Sequence, residues 1–267
     1  MSQNKSESGI QGMLAAIVIP AALIIAFLIY KFIMGNPANF QDGNPELNPL
    51  PGNYLGMIYK GGLIVPVLIC LLIVTITFVI ERFVTIGKSK GNGPIDQFVG
   101  RMRASLAKGD LNGATKECER QKGSIAAVVQ AGLKAYQQME SEKNLDKEHK
   151  VATIQKEIEE ATTLELPMLS KNLVIISTIA SIATLMGLLG TVIGMIRAFA
   201  ALAQAGSPDA TALATGISEA LINTGLGIFT SALAIVFYNY YTNKIDSITY
   251  GIDEAGYSIV QSFTARN

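Results

Sequence analysis

Four polar side chains stand in stretches otherwise apolar enough to lie in a membrane: Thr191, within Gly-Leu-Leu-Gly-Thr-Val (Gly187 to Val192), and Glu219, Asn223 and Thr224 further on. A carboxylic acid can take up and release a proton, and hydroxyl and amide groups can orient or relay one through hydrogen bonds. Even the mildest insertion scale puts a mid-bilayer carboxylate at a cost of about 2.5–3.5 kcal/mol, which makes Glu219 a candidate functional residue by default. Glu219 and Asn223 fall one turn apart on one flank of a helix, whereas Thr224 is offset from Glu219 by about 140° on ideal geometry. The acid and the second threonine therefore need not face the same space.

The elements that must position these groups are membrane helices. The chain has 267 residues, 49% of them hydrophobic and only 16% charged, and its mean hydropathy is positive, at +0.36. Uncharged runs cover 12–30, 61–80 and 173–196, and a fourth, 210–243, is interrupted only by Glu219. Each reaches or approaches the ~20 residues that carry a helix across the hydrocarbon core. Alternating ten-residue segments are missing, so helices rather than a barrel must satisfy the backbone in lipid. The predicted fold class is an all-α integral membrane protein with four transmembrane helices and long helices extending into a cytoplasmic helical region. The run 12–30 is too long for the apolar part of a secretory signal and reads as a retained helix that accommodates Pro20.

Net charge is zero, but 15 of the 21 Lys+Arg and 13 of the 21 Asp+Glu fall in 81–171, which marks that region as the water-soluble part. Near the membrane ends, Arg82, Lys88, Lys90 and Lys171 outnumber Lys31, Lys60 and Arg197, so the large loop is expected in the cytoplasm. Both termini are then cytoplasmic (1–11 and a helical tail 244–267), with connectors 31–60 and 197–209 outside. Prolines 37, 45, 49 and 51 among Gly and Asn predict irregular backbone in the first connector.

Within 81–171, Ile125, Val129, Leu133 and Tyr136 repeat at helical spacing, as do Ile154, Ile158, Ala161, Leu164 and Met168. The polar run Glu140 to Lys150 separates them as a solvated turn. The second helix should run on into the 173–196 span as one long helix, kinked near the membrane surface by Pro167. Ile245, Ile248, Ile252, Ala255, Ile259 and Phe263 extend the last span into a helix that packs on the loop helices.

The third span carries Ser177, Ala180, Thr184, Gly187, Thr191 and Gly194 on one face, and the fourth carries Gly216, Ala220, Thr224, Gly227, Ser231 and Ala234. Small stripes let helices approach closely, and Ser or Thr can bond across such a contact with no transport role. Equally, the stripes could line a narrow path with Thr191 and Thr224 as its hydroxyls. Spacing leaves both open, and Gly187, Gly190, Gly194, Gly216 and Gly227 are the candidate packing residues. For Glu219 the alternatives are a structural carboxyl near the external membrane edge and a proton-relay group.

Other chemistry is poorly served. Cys70 and Cys118 have neither disulfide nor zinc spacing, and His149 sits in a charged surface run. No phosphate loop or H-E-x-x-H occurs, no cofactor is implied, and basic residues interleave with acidic ones rather than forming a nucleic-acid stripe.

Gly-Leu-Leu-Gly-Thr-Val-Ile-Gly-Met (187–195), followed by Gly-Ile-Ser-Glu-Ala-Leu-Ile-Asn-Thr-Gly-Leu-Gly (216–227) and Tyr238-Asn239, resembles the MotA/TolQ/ExbB proton-channel family, most closely its ExbB/TolQ branch. The resemblance covers about 60 to 267, including Glu81-Arg82 and Gly109-Asp110. It implies a homopentamer around a central pore that encloses single-span helices of an ExbD/TolR-like partner with a membrane aspartate, and delivery of work to a TonB-like protein. Thr191 and Thr224 would be pore-facing hydroxyls, and Glu219 the acid at the membrane edge, with Asn223 on the same pathway. Many relatives carry Ala-Pro before the glycine motif. Here Ala183-Thr184 followed by Leu185-Met186 implies a straighter helix, and 12–30 adds a span to the family's usual three. The expected function is a proton-driven motor subunit that energises outer-membrane uptake in the bacterial inner membrane. The alternatives are a TolQ-like role in envelope integrity and a non-conducting structural scaffold.

Overall fold

The computed structural model describes residues 3–204 and 210–266, with side-chain surroundings from residue 16 onward. The expected connector at 197–209 thus lies partly outside the described residues, as do the first two residues of the amino terminus. The described chain is helical, with a single isolated bridge between Phe40 and Pro49 as its only strand-like pairing. Its α-helices are α1 (Gln3–Leu28), α2 (Tyr54–Tyr59), α3 (Ile64–Lys90), α4 (Ile95–Lys108), α5 (Leu111–Gln121), α6 (Gly123–Ser141), α7 (Lys147–Ser170), α8 (Leu173–Gln204) and α9 (Ala210–Arg266). Four helical stretches are long and apolar enough to cross a membrane. The contacts divide the chain into two compact units, Met1–Val79 with Ile175–Phe237 and Ile80–Val174 with Tyr238–Asn267.

The first unit is built from α1, α2, the apolar parts of α3 and α8, and the first half of α9. In α1, Ala22 and Ala26, one turn apart, are buried while Ile24, Phe27 and most of their neighbours are exposed. Its helix widens to a π-helical turn at Ile29–Met34 rather than ending at residue 30. The first connector has the expected irregular backbone, pinned by asparagine side chains. Asn39 donates to the Ile33 and Met34 carbonyls (2.8 and 2.9 Å) and accepts from Asn53 (3.0 Å), whose own side chain also caps α2 through Gly56 N–H. Prolines prevent a regular sheet there, but asparagine amides replace the missing backbone bonds.

The second unit uses large side chains. Phe98, Met102 and Leu106 of α4, Ile125, Leu133 and Tyr136 of α6, and Ile252, Ile259 and Phe263 of α9 are all buried. Tyr136 and Phe263 meet edge to face at 4.9 Å. Caps fix the helix ends: Asp110 accepts from Gly113 N–H, and Asp146 from His149 N–H, both at 2.8 Å. The His149 backbone and ring bonds hold the exposed Asp146 carboxyl below its ordinary range. Gly109, at φ +72°, closes α4 in the left-handed conformation that glycine adopts freely. Burial pushes the Cys118 thiol up to about 12, leaving it protonated and unreactive.

Two sequence expectations change in α7. Leu164, expected in the buried stripe, is 74% exposed, and Leu169 is buried instead. Two successive three-residue steps, from Ile158 to Ala161 to Leu164, fall short of whole turns and carry Leu164 off the face. The helix also continues through Pro167 and breaks five residues later, at Asn172 with φ +64°. α7 and α8 are therefore separate helices, since asparagine tolerates the left-handed conformation and interrupts the ladder there.

Buried Arg82 secures that break. Its guanidinium donates to the Met168 and Leu169 carbonyls (3.3 and 3.2 Å), the open acceptors of the last α7 turn, and pairs with Glu81. Glu81 also accepts from Thr85 (3.0 Å) and Asn172 (3.4 Å). Burial alone would raise the Glu81 carboxyl, but these bonds and the Arg82 charge outweigh it and hold the carboxyl below its ordinary value.

Candidate functional site

The α8 and α9 small-residue stripes pack against each other as an antiparallel pair. A Cβ on Gly227 would lie 2.6 Å from the Ala183 carbonyl oxygen and 2.8 Å from Gly187 Cα. One on Gly194 would lie 2.8 Å from the Gly216 oxygen and the Ala220 nitrogen, and one on Gly216 would lie 2.8 Å from Ala198 Cβ. Ser231 donates to the Ala180 carbonyl at the far end. Backbone-to-backbone approach of this kind needs hydrogen in place of a side chain.

Thr191 and Thr224 meet within this seam, hydroxyl to hydroxyl. Thr191 Oγ1 also reaches the Gly187 and Ala220 carbonyls (3.3 and 3.5 Å), and Thr224 Oγ1 reaches Gly187 (3.4 Å). Two hydroxyl protons thus have more acceptors than they can use: two carbonyls and each other's oxygen. The direction of the hydrogen bond between the hydroxyls can reverse without leaving either proton unbonded. Both threonines are half-buried.

Glu219 and Asn223 occupy a different place, against the turn between α2 and α3. Glu219, 6% exposed, pairs with Arg197 of α8 at 2.6 Å. It lies over Gly62, where an added Cβ would stand 2.5 Å from Glu219 Oε1 and where φ is +74°. Asn223 is fully buried: Gly190 abuts its Cβ and its Nδ2 donates to the Gly61 carbonyl at 2.8 Å. Asn223 Oδ1 has no hydrogen-bond partner among the described residues. Tyr30 stacks on Tyr59 (4.6 Å) and donates to its carbonyl (3.2 Å), bracing the same turn.

The sequence placed Arg197 only at a membrane end, as a topology marker. The structure makes it the counter-ion of Glu219, and it lies in the continuation of α8 to Gln204 rather than in a connector. The signal was present in the pairing of the stripes: the register that joins Thr191 to Thr224 also joins Arg197, six residues on, to Glu219, five residues back.

Residues 120–254, just over half of the chain, match the MotA/TolQ/ExbB proton channel family. Relatives include a protein of Methanothermobacter thermautotrophicus named as an ExbB homolog, 28% identical over 196 residues, 73% of this chain and 65% of that protein. The Tol-Pal system protein TolQ of Pseudomonas aeruginosa is 26% identical over 124 residues, 46% of this chain and 54% of that protein. The biopolymer transport protein ExbB of Salmonella typhimurium is 36% identical over 72 residues, 27% and 30% of the two chains. In each case the match covers less than two thirds of the relative's own length.

Proposed function

We propose, from the premise that this chain belongs to the MotA/TolQ/ExbB proton channel family and its ExbB/TolQ branch, that it is a proton-driven motor subunit. It works as a homopentamer around the membrane helix of an ExbD/TolR-like partner and energises TonB-dependent transport across the outer membrane. It lies in the bacterial inner membrane with spans at 12–30, 61–80, 173–196 and 210–243 and both termini cytoplasmic. The observation that carries the reading is the reversible hydroxyl pair Thr191–Thr224 in the α8–α9 seam. A partner carboxylate brought to that half-buried pair could gain or lose a proton through it, and the change in charge would drive motion of partner against pentamer.

Glu219, paired with Arg197, serves as the charged group at the rim of the pathway, with Asn223 fixing the turn beneath it. Because TolQ relatives match over a longer stretch than the Salmonella ExbB, a TolQ-like role in envelope integrity is the alternative consumer of the same chemistry.

The test is co-reconstitution of the full chain with an ExbD-like single-span protein in vesicles bearing a pH-sensitive dye inside. Partner-dependent acidification is expected from the native chain, and none from Thr224→Val or Glu219→Gln of normal assembly. Native flux in both variants would refute their assigned roles, and absence of partner-dependent flux in the native chain would favour a structural scaffold.

A further inference from the structure

A cavity of about 350 Å³ opens in the second unit between the end of α3, the start of α4 and α9, at the low end of the roughly 300–1,000 Å³ typical of small-molecule sites. Phe83 and Tyr240 form its apolar wall, Lys90 and Lys244 bring cations, and Asp96 and Ser247 complete the polar side. Neither lysine joins an ion pair among the described residues; Lys244 Nζ rests 5.6 Å from the Tyr240 ring centroid. The start of α4 adds to the positive character, because its N-cap position is Pro94, which supplies no side-chain acceptor.

Position gives this cavity its meaning. Phe83 is 66% and Tyr240 46% exposed; Phe83 follows directly on the 61–80 span and Tyr240 lies in the last turn of the 210–243 span, where aromatic rings settle at the headgroup level. A second cavity on α3 shares Phe83 and Gly87 and is lined by Lys88 and Lys122. Its lysines likewise join no ion pair among the described residues. The first cavity holds two cations against one carboxylate, so a ligand of single negative charge balances it. The structure assigns it to the headgroup of an anionic phospholipid: the phosphodiester lies between Lys90 and Lys244, a headgroup hydroxyl donates to Asp96, and the acyl chains run over Phe83 toward the bilayer. A zwitterionic headgroup would leave the excess charge unmatched.

The test uses the full chain in nanodiscs of phosphatidylcholine alone, with phosphatidylglycerol, or with phosphatidylethanolamine, and counts lipid retained after detergent extraction by native mass spectrometry. The native chain is expected to retain phosphatidylglycerol selectively. Lys90→Gln with Lys244→Gln should weaken retention by about tenfold or more, as expected for removing two lysines beside an anionic surface, while the double arginine variant retains it. Excess inorganic phosphate should not displace the lipid; displacement would mean that a free phosphate is the ligand and overturn the assignment. Equal retention of all three lipids, or undiminished phosphatidylglycerol in the glutamine variant, would also overturn it. So would a glutamine variant that loses its oligomeric state equally in every lipid, which would make the cavity an interface between copies.

Discussion

Two polar sites lie on the same pair of helices less than two turns apart, and they are built on opposite terms. The Thr191–Thr224 pair is neutral, held by carbonyls, and rich in equivalent hydrogen-bond arrangements. The Glu219–Arg197 pair is charged, fixed at 2.6 Å and wedged against Gly62. A group that must pass a proton benefits from degenerate geometry, whereas a group that must hold charge at a membrane edge benefits from a single geometry. Under the proposed function, the threonines relay the proton and the acid anchors charge.

The comparison can be broken at four places. The largest effect is expected from Gly227→Val, which drives a side chain into Ala183 and Gly187. Overpacking of this kind costs about 1–3 kcal/mol or more, and both sites should fail together, seen as loss of the folded oligomer by size-exclusion chromatography. Next comes Arg197→Gln. Arg197 is 52% exposed, so the loss should fall between that of an exposed and a fully buried pair, about 1–3 kcal/mol. Thermal melts in detergent should show this loss, with the Thr191–Thr224 contact intact.

Thr191→Val should do the reverse. Hydrogen bonds between membrane helices average about 0.6 kcal/mol, so the melt should barely move while partner-dependent flux disappears. A Thr191→Val variant that melts early yet conducts would overturn the relay role.

The smallest effect on the two sites comes from a change outside both, which serves as a control. Glu81 has a folded-state pKa below its unfolded one, so the folded state binds fewer protons and gains stability above the unfolded value, losing it as pH falls through the folded value. Glu81→Gln should flatten the acid limb of a pH–stability curve and leave neutral-pH flux unchanged.

Much of this arrangement was legible in the sequence because it is periodic. Small residues at three- and four-residue spacing name the faces of α8 and α9, and the apolar residues from Ile248 to Phe263 name the buried face of α9. Relations across helices were not legible. Arg197 became a counter-ion only through the register of two antiparallel helices, and the α7–α8 break fell at Asn172 because Arg82, 90 residues earlier in the chain, caps the carbonyls beside it. Leu164 misled because successive three-residue steps accumulate angular error that a list of apolar positions hides.

Gly62 has a genetic consequence. Every missense codon one nucleotide from a glycine codon encodes a residue with a Cβ, and at position 62 that atom meets both an unfavourable φ and the Glu219 carboxylate. Its neighbour Leu63 is 72% exposed and should accept any residue at home in lipid. Saturation mutagenesis under selection for the proposed function should therefore find two adjacent codons with opposite fates, one strongly depleted of substitutions and the other drifting freely.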